Sequence, residues 1–277
     1  MSFFKLTRAF RPAATRGFTS AVTAHSKRNS SYYRSLVCVT TLGIAAAYLS
    51  LKPNVLHLDA QIPLSGTEAA KDEETIVDPA TSIAFPKVMH IPTNTGTPNL
   101  TLLGVGVRTV SFLGIKVYSV GFYADLSNPN LKIPADMSPE DKVKHIVKNT
   151  SCVIRIVPTR STGYSHLRDA FVRALQSRLL AAIKEQLITE EVAQTASSPI
   201  RKLKGLFPNS SIAKHTPLDV FLSTPLPDKQ RVLLFRDLGS VENDWVATEL
   251  FLHYFEGAGP SPPLKHSVLQ NLASYAS

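Results

Sequence analysis

Arg108 stands inside the run LGVGVRTVSF, among glycines and apolar residues. If residues 102–112 form a strand, alternate side chains share a face, and Arg108 lies with Gly106, Val110 and Phe112. A guanidinium keeps its charge in a protein, so a buried one needs an acceptor. That acceptor is either a carboxylate of the chain or an acid group of a ligand, gripped by the forked N–H donors of arginine. Gly104 and Gly106 carry no side chains and leave room for a ligand to approach the backbone. Arg155, in VIRIV, alternates with apolar residues and reads as facing solvent from a half-buried strand. No cysteines or histidines show zinc-site spacing, so no metal site is expected. Cys38 and Cys152 are the two cysteines and imply no disulfide framework.

The elements that must position Arg108 follow from local pattern. FPKVMHIP suggests a short strand. TLLGVGVRTVSF and IKVYSVGFYAD suggest a hairpin turning near Leu113 and Gly114. Ser138-Pro139-Glu140-Asp141 is a helix start: a capping hydroxyl, a proline at the first position and acids at the positive end. SCVIRIVP reads as a strand. The longest helix is expected over 166–187, where Leu167, Phe171, Ala174, Leu175, Ala182 and Ile183 recur at helical spacing. Its basic residues read as a solvated face. A further helix is expected to end at Pro199. LDVFLST and RVLLFRDLG suggest a second hairpin, 245–255 a helix, and LKHSVLQNLAS a last one beyond the break at 260–263. Strands and helices are mixed without βαβ periodicity, so an α+β fold with a largely antiparallel sheet is expected.

The charge is uneven. The net charge is +9, but residues 1–58 hold eight basic residues and no acidic one, leaving 22 basic against 21 acidic residues beyond. The body is nearly neutral, and composition lends a nucleic-acid partner no support. Residues 1–34, rich in Arg, Ser, Thr and Ala without acids, read as a mitochondrial targeting peptide. Residues 35–51 form an uncharged run between Arg34 and Lys52, read as a short transmembrane anchor with snorkelling flanks. The excess of positive charge before it predicts a matrix-side N-terminus, with the body facing the intermembrane space; because import can override this rule, a matrix-facing body is the alternative. Residues 52–82 read as a flexible tether, and 83–277 as the folded domain.

The stretch GVGVRTVSFLGIKVYSVGFYAD resembles the opening hairpin of the chalcone isomerase-like superfamily. VIRIVPTRSTGYSHLRDAF and FLHYFEGAGPSPPLKHSVLQNLA resemble its later segments in the same order. With a mitochondrial presequence and anchor, the chain resembles the fungal altered-inheritance-of-mitochondria proteins of that superfamily. The resemblance implies an open-faced β sandwich: a large antiparallel sheet with helices on one face and a cleft between them. It places Arg108 at the family's pocket arginine and Tyr164 at its catalytic tyrosine. Three enzyme positions differ here: a threonine is Tyr118, a helix asparagine is Phe171, and a Ser or Thr near the closing Ser-Pro is Leu264. Losing such hydrogen-bond donors removes transition-state stabilisation, so no catalytic residue is assigned. The expected function is a non-catalytic binding module for an acid-headed apolar ligand lined by Arg108, Tyr118 and Tyr164. The resemblance implies two ligand kinds, fatty acid and haem. For haem, His166 is the nearest axial candidate, ahead of His145 and His253. The alternatives are an inner-membrane scaffold with a vestigial pocket, or an isomerase or lyase of unknown substrate.

Overall fold

A computed structural model of the chain describes residues 74–92 and 98–276. The elements in order are β1 (Thr75–Val77), β2 (Ala84–Pro86), β3 (Val88–His90), β4 (Asn99–Val110), β5 (Ile115–Ala124), α1 (Pro139–Asn149), β6 (Cys152–Pro158), β7 (Thr162–Gly163) and α2 (Tyr164–Lys184). Then come α3 (Glu190–Leu206), β8 (Ser211–Ile212), β9 (Leu218–Leu222), β10 (Val232–Phe235), β11 (Gly239–Glu242), α4 (Asp244–Leu252) and α5 (Pro262–Ala273). The expected targeting peptide and anchor, and most of the expected tether, lie outside the described residues. Among the described residues no helix is long and apolar enough to cross a membrane.

Seven strands form one sheet in the order β11-β10-β9-β6-β5-β4-β3. All of its pairings are antiparallel. Side-chain alternation along β5, β6 and β9 sorts residues onto two faces. Val120, Phe122, Ile154, Ile156, Val220 and Leu222 join the larger core beneath the helices. Tyr123, Val153, Val157 and Phe221 join a smaller core on the back, closed by Phe85, Met89 and Ile91. The α+β architecture with helices on one face matches expectation. The back, however, is not bare: β1 and β2 pair over it, and Asp78 is buried, accepting hydrogen bonds from Ser119 and Thr81 hydroxyls. Residues 74–82, read as tether for their polar composition, are therefore part of the folded body. Both cores lie wholly within the compact unit Thr67–Ser277, which thus holds what it needs to fold by itself.

Helix starts follow side-chain chemistry. Ser138 accepts from the Asp141 amide at 3.1 Å, Asn243 from Val246 at 2.9 Å and Ser261 from Leu264 at 3.3 Å. Pro262 sits in the first turn of α5, so the proline cluster starts that helix as well as separating it from α4. Pro199 was expected to stop a helix but lies inside α3. The apolar face continues past it through Ile200 and Leu203, and their burial outweighs the lost backbone bond.

Gly104 and Gly106 do create a close approach, but to a helix. A Cβ on Gly106 would sit 2.2 Å from the Leu264 amide nitrogen, and one on Gly104 2.7 Å from a Val268 methyl. The α5 helix presses onto β4 there. Ser261 Oγ donates to the Val107 carbonyl at 2.9 Å, and Asn271 donates to Leu103 at 2.8 Å. No ligand can reach the backbone at these glycines.

Candidate functional site: a cationic cleft at Arg108

Arg108 lies on β4 directly opposite Tyr118 on β5, immediately before a register shift. An earlier register shift falls between Leu102 and Gly104; from Gly104 to Arg108 the alternation holds, and the side chain faces the helix layer. The bulge then re-aims the strand, so Val110 and Phe112 end exposed instead of sharing the face of Arg108. Arg108 Nη1 donates to the Tyr118 hydroxyl at 3.3 Å, and its guanidinium carbon lies 5.7 Å from that ring's centroid. The Tyr118 hydroxyl in turn bonds the Tyr254 hydroxyl at 3.2 Å. Both phenols are buried, and burial, then Tyr118, pushes Tyr254 well above the usual phenol range. Tyr254 is therefore a neutral donor and acceptor at physiological pH.

Arg108 opens onto a cleft of about 230 Å³, lined also by Phe171, Arg173, His253, Tyr254 and Pro260. The lining holds two arginines and no carboxylate. Among the described residues, no carboxylate forms an ion pair with Arg108. Burial, then Arg178 and Arg108, lowers His253 to about 4, so its imidazole is neutral. Behind it, Arg178 is clamped between Glu249 and Glu256, tying α2 to α4 and the segment after it. A second groove, about 190 Å³, mixes Glu140, Lys144, Glu256 and Lys265 and has no one-sided charge.

The structure brings together two of the expected ligand residues, Arg108 and Tyr118, but buried Tyr118 supports Arg108 without lining the cleft itself. Tyr164 does not line the cleft. It opens α2, where its amide donates to the Ser210 carbonyl and its ring packs 6.4 Å from Phe207. His166 is exposed on the first turn of α2 and is also absent from the lining. His253, set aside for want of a pocket, is in the cleft, and so is Arg173, expected on a solvated face. Tyr254 was missed, because a tyrosine in the apolar run FLHYF has no local sign of a polar partner. Arg155 is corrected outright. It forms a two-pronged ion pair with buried Asp219, at 2.7 and 3.0 Å, instead of facing solvent.

A family model described as "Chalcone isomerase like" matches residues 98–135 and 132–269. The chain belongs to the chalcone isomerase-like family. A fatty-acid binding protein of Arabidopsis thaliana superposes on this chalcone isomerase-like chain with a TM-score of 0.51 at 20% identity, covering 73% of this chain and 98% of that one. At that identity the likeness is one of fold. Among relatives, an uncharacterized protein of Schizosaccharomyces pombe is 41% identical over 98 residues, 29% of this chain and 38% of that protein. The mitochondrial altered inheritance of mitochondria protein 18 of Lachancea thermotolerans is 22% identical over 287 residues, 89% of this chain and 88% of that protein.

Proposed function

We propose that this chalcone isomerase-like protein is a non-catalytic binding module whose cleft receives the acid group of an apolar ligand on Arg108. The observation that carries this is a half-buried guanidinium held by a phenol, beside a second arginine and a neutral imidazole, with no carboxylate in the lining. Such a cation is incomplete until an anion arrives, and a carboxylate takes the remaining N–H donors in charge-assisted bonds. The apolar wall of Ala170, Phe171, Ala174 and Pro260 suits the methylenes that follow the acid group. The fold shared with a protein named for fatty-acid binding agrees with this ligand class. Haem is the weaker candidate. Neutral His253 and two arginines suit an iron ligand and propionates, but about 230 Å³ is below the roughly 300–1,000 Å³ of small-molecule sites, so the cleft takes only the head of a ligand whose remainder runs out of it, as a single acyl chain can. A flat macrocycle would have to displace α2 or α4. Against catalysis, Phe171 and Leu264 offer no hydrogen-bond donor where the family's enzymes carry one.

Relatives named mitochondrial, together with an acid-free basic N-terminus and the uncharged run 35–51, support a mitochondrial protein held at the inner membrane. The test of the binding reading is to purify residues 67–277 and its Arg108→Ala variant, then identify bound molecules by native mass spectrometry and absorbance. Co-purifying acyl chains in the parent and none in the variant support the reading. A Soret band lost in the variant would make haem the ligand. Two empty proteins that refuse both ligands would leave the cleft vestigial.

A further inference from the structure

The hairpin joining β4 to β5 ends in an apolar tip. Phe112 is 96% exposed and Leu113 70%, and Val110 and Ile115, paired with each other at its base, are each 38% exposed. The turn is well defined. Ser111 and Gly114 both take positive φ, the Gly114 amide donates to the Ser111 carbonyl, and the Leu113 amide donates to the Ser111 hydroxyl. The backbone thus holds Phe112 and Leu113 at the apex, away from either core.

The surroundings of the tip are basic. Lys116 follows it on β5 and is exposed, its ammonium donating one hydrogen bond to the Ala80 carbonyl. The Thr159 hydroxyl donates to the Lys116 carbonyl, which sets exposed Arg160 beside it. The His215 amide donates to the Pro158 carbonyl, which brings exposed Lys214 to the same end of the sheet. No Asp or Glu occurs in 106–123, 151–168 or 201–216. The carboxylates at this end are accounted for, beginning with Asp169, the residue after 151–168, which pairs with Arg168. Asp219 is neutralised by Arg155 and Arg236, Asp78 is buried against hydroxyls, and Asp237 lies in the β10–β11 turn, four strands from β4. The body is nearly neutral in sum, yet this end is positive around an apolar point.

We infer that the tip docks on an anionic lipid bilayer, with Phe112 and Leu113 entering the interface and Lys116, Arg160 and Lys214 lying over the headgroups. The arrangement has the two components of interfacial binding, buried apolar surface and attraction to anionic lipid. The charge selects this partner: an apolar tip meant for another protein face needs no acid-free collar. Docking also brings Arg108, two residues from Val110 on the same strand, close to the lipid surface. The docking itself does not require the cleft to be filled.

The test is co-sedimentation of residues 67–277 with vesicles of phosphatidylcholine, alone or with about one part in three phosphatidylglycerol. Binding is expected to the anionic vesicles and to weaken as salt is raised. The double variant Phe112→Ser, Leu113→Ser, changed only at exposed positions, should bind roughly tenfold or more weakly. Removing Lys116, Arg160 or Lys214 as Gln should each cost up to about fivefold. The tip variant should bind a long-chain fatty acid as the parent does, because neither tip residue lines the cleft, which separates docking from ligand capture. No binding to anionic vesicles would overturn the proposal, as would equal binding by the tip variant. So would a tip variant that abolishes self-association of the parent without changing its vesicle binding, which would make the tip a protein contact.

Discussion

Two arginines of the same sheet meet opposite fates. Arg155 on β6 faces the back, where Asp219 of the next strand takes it in a two-pronged ion pair and Arg236 adds a second cation to the same carboxylate. Arg108 on β4 faces the helices, where two buried phenols and an open cleft stand in place of a carboxylate. The first pair is complete within the chain, so removing one partner leaves an uncompensated charge. The second is a charge left for something outside. A half-buried cation is thus read as structural or functional by what neutralises it, not by its burial.

The comparison breaks first at Asp219. Asp219→Ala would leave Arg155 without its carboxylate in a partly buried place, and urea unfolding should show a loss of about 3–5 kcal/mol. A loss below about 1 kcal/mol would mean the back-face pair is no more than a surface bridge. Next is Gly106→Ala, where β4 and α5 press together beside the cleft. Its methyl would meet the backbone of α5, and the overpacking should cost roughly 1–3 kcal/mol, with weaker ligand retention. Arg108→Leu should change stability by less than about 1 kcal/mol either way, because a lost hydrogen bond is offset by the removal of a desolvated charge. A large destabilisation would put Arg108 in the same class as Arg155.

The remaining effect concerns pH. His253 titrates near 4 in the fold against about 6.5 in an unfolded chain. Between those values the unfolded chain binds more protons, so the contribution of the neutral ring is complete above about pH 6.5 and is lost as pH falls toward 4. Each unit in that window costs up to about 1.4 kcal/mol, less here because the ring is partly exposed. Arg178 and Arg108 oppose its protonation, while Glu249 and Glu256 are engaged with Arg178. His253→Gln should flatten the fall in melting temperature between pH 6.5 and 4.

The sequence made the local elements legible because their causes are local. Alternation gave the β4–β5 hairpin, and Ser138 with Pro139 gave the start of α1. What escaped depended on partners far along the chain. Arg155 reads as solvent-facing until Asp219, sixty-four residues away, is placed beside it. Tyr254 joins the site only because its hydroxyl meets Tyr118 across 136 residues. Gly104 and Gly106 signalled a close approach correctly, but their pattern does not say whether a ligand or α5 fills the space. Tyr164 and His166 sat near the expected pocket in sequence, yet α2 carries Phe171 and Arg173, a turn or more later, into the cleft instead.

The central claim is that Arg108 holds an acid group. Its most direct measurement is a titration of residues 67–277 with a long-chain fatty acid and, in parallel, with the methyl ester of the same acid. The account predicts saturable binding of the acid, binding of the ester weaker by roughly tenfold or more, and loss of that preference in Arg108→Ala. Equal binding of acid and ester, or a preference that survives in the variant, would contradict it.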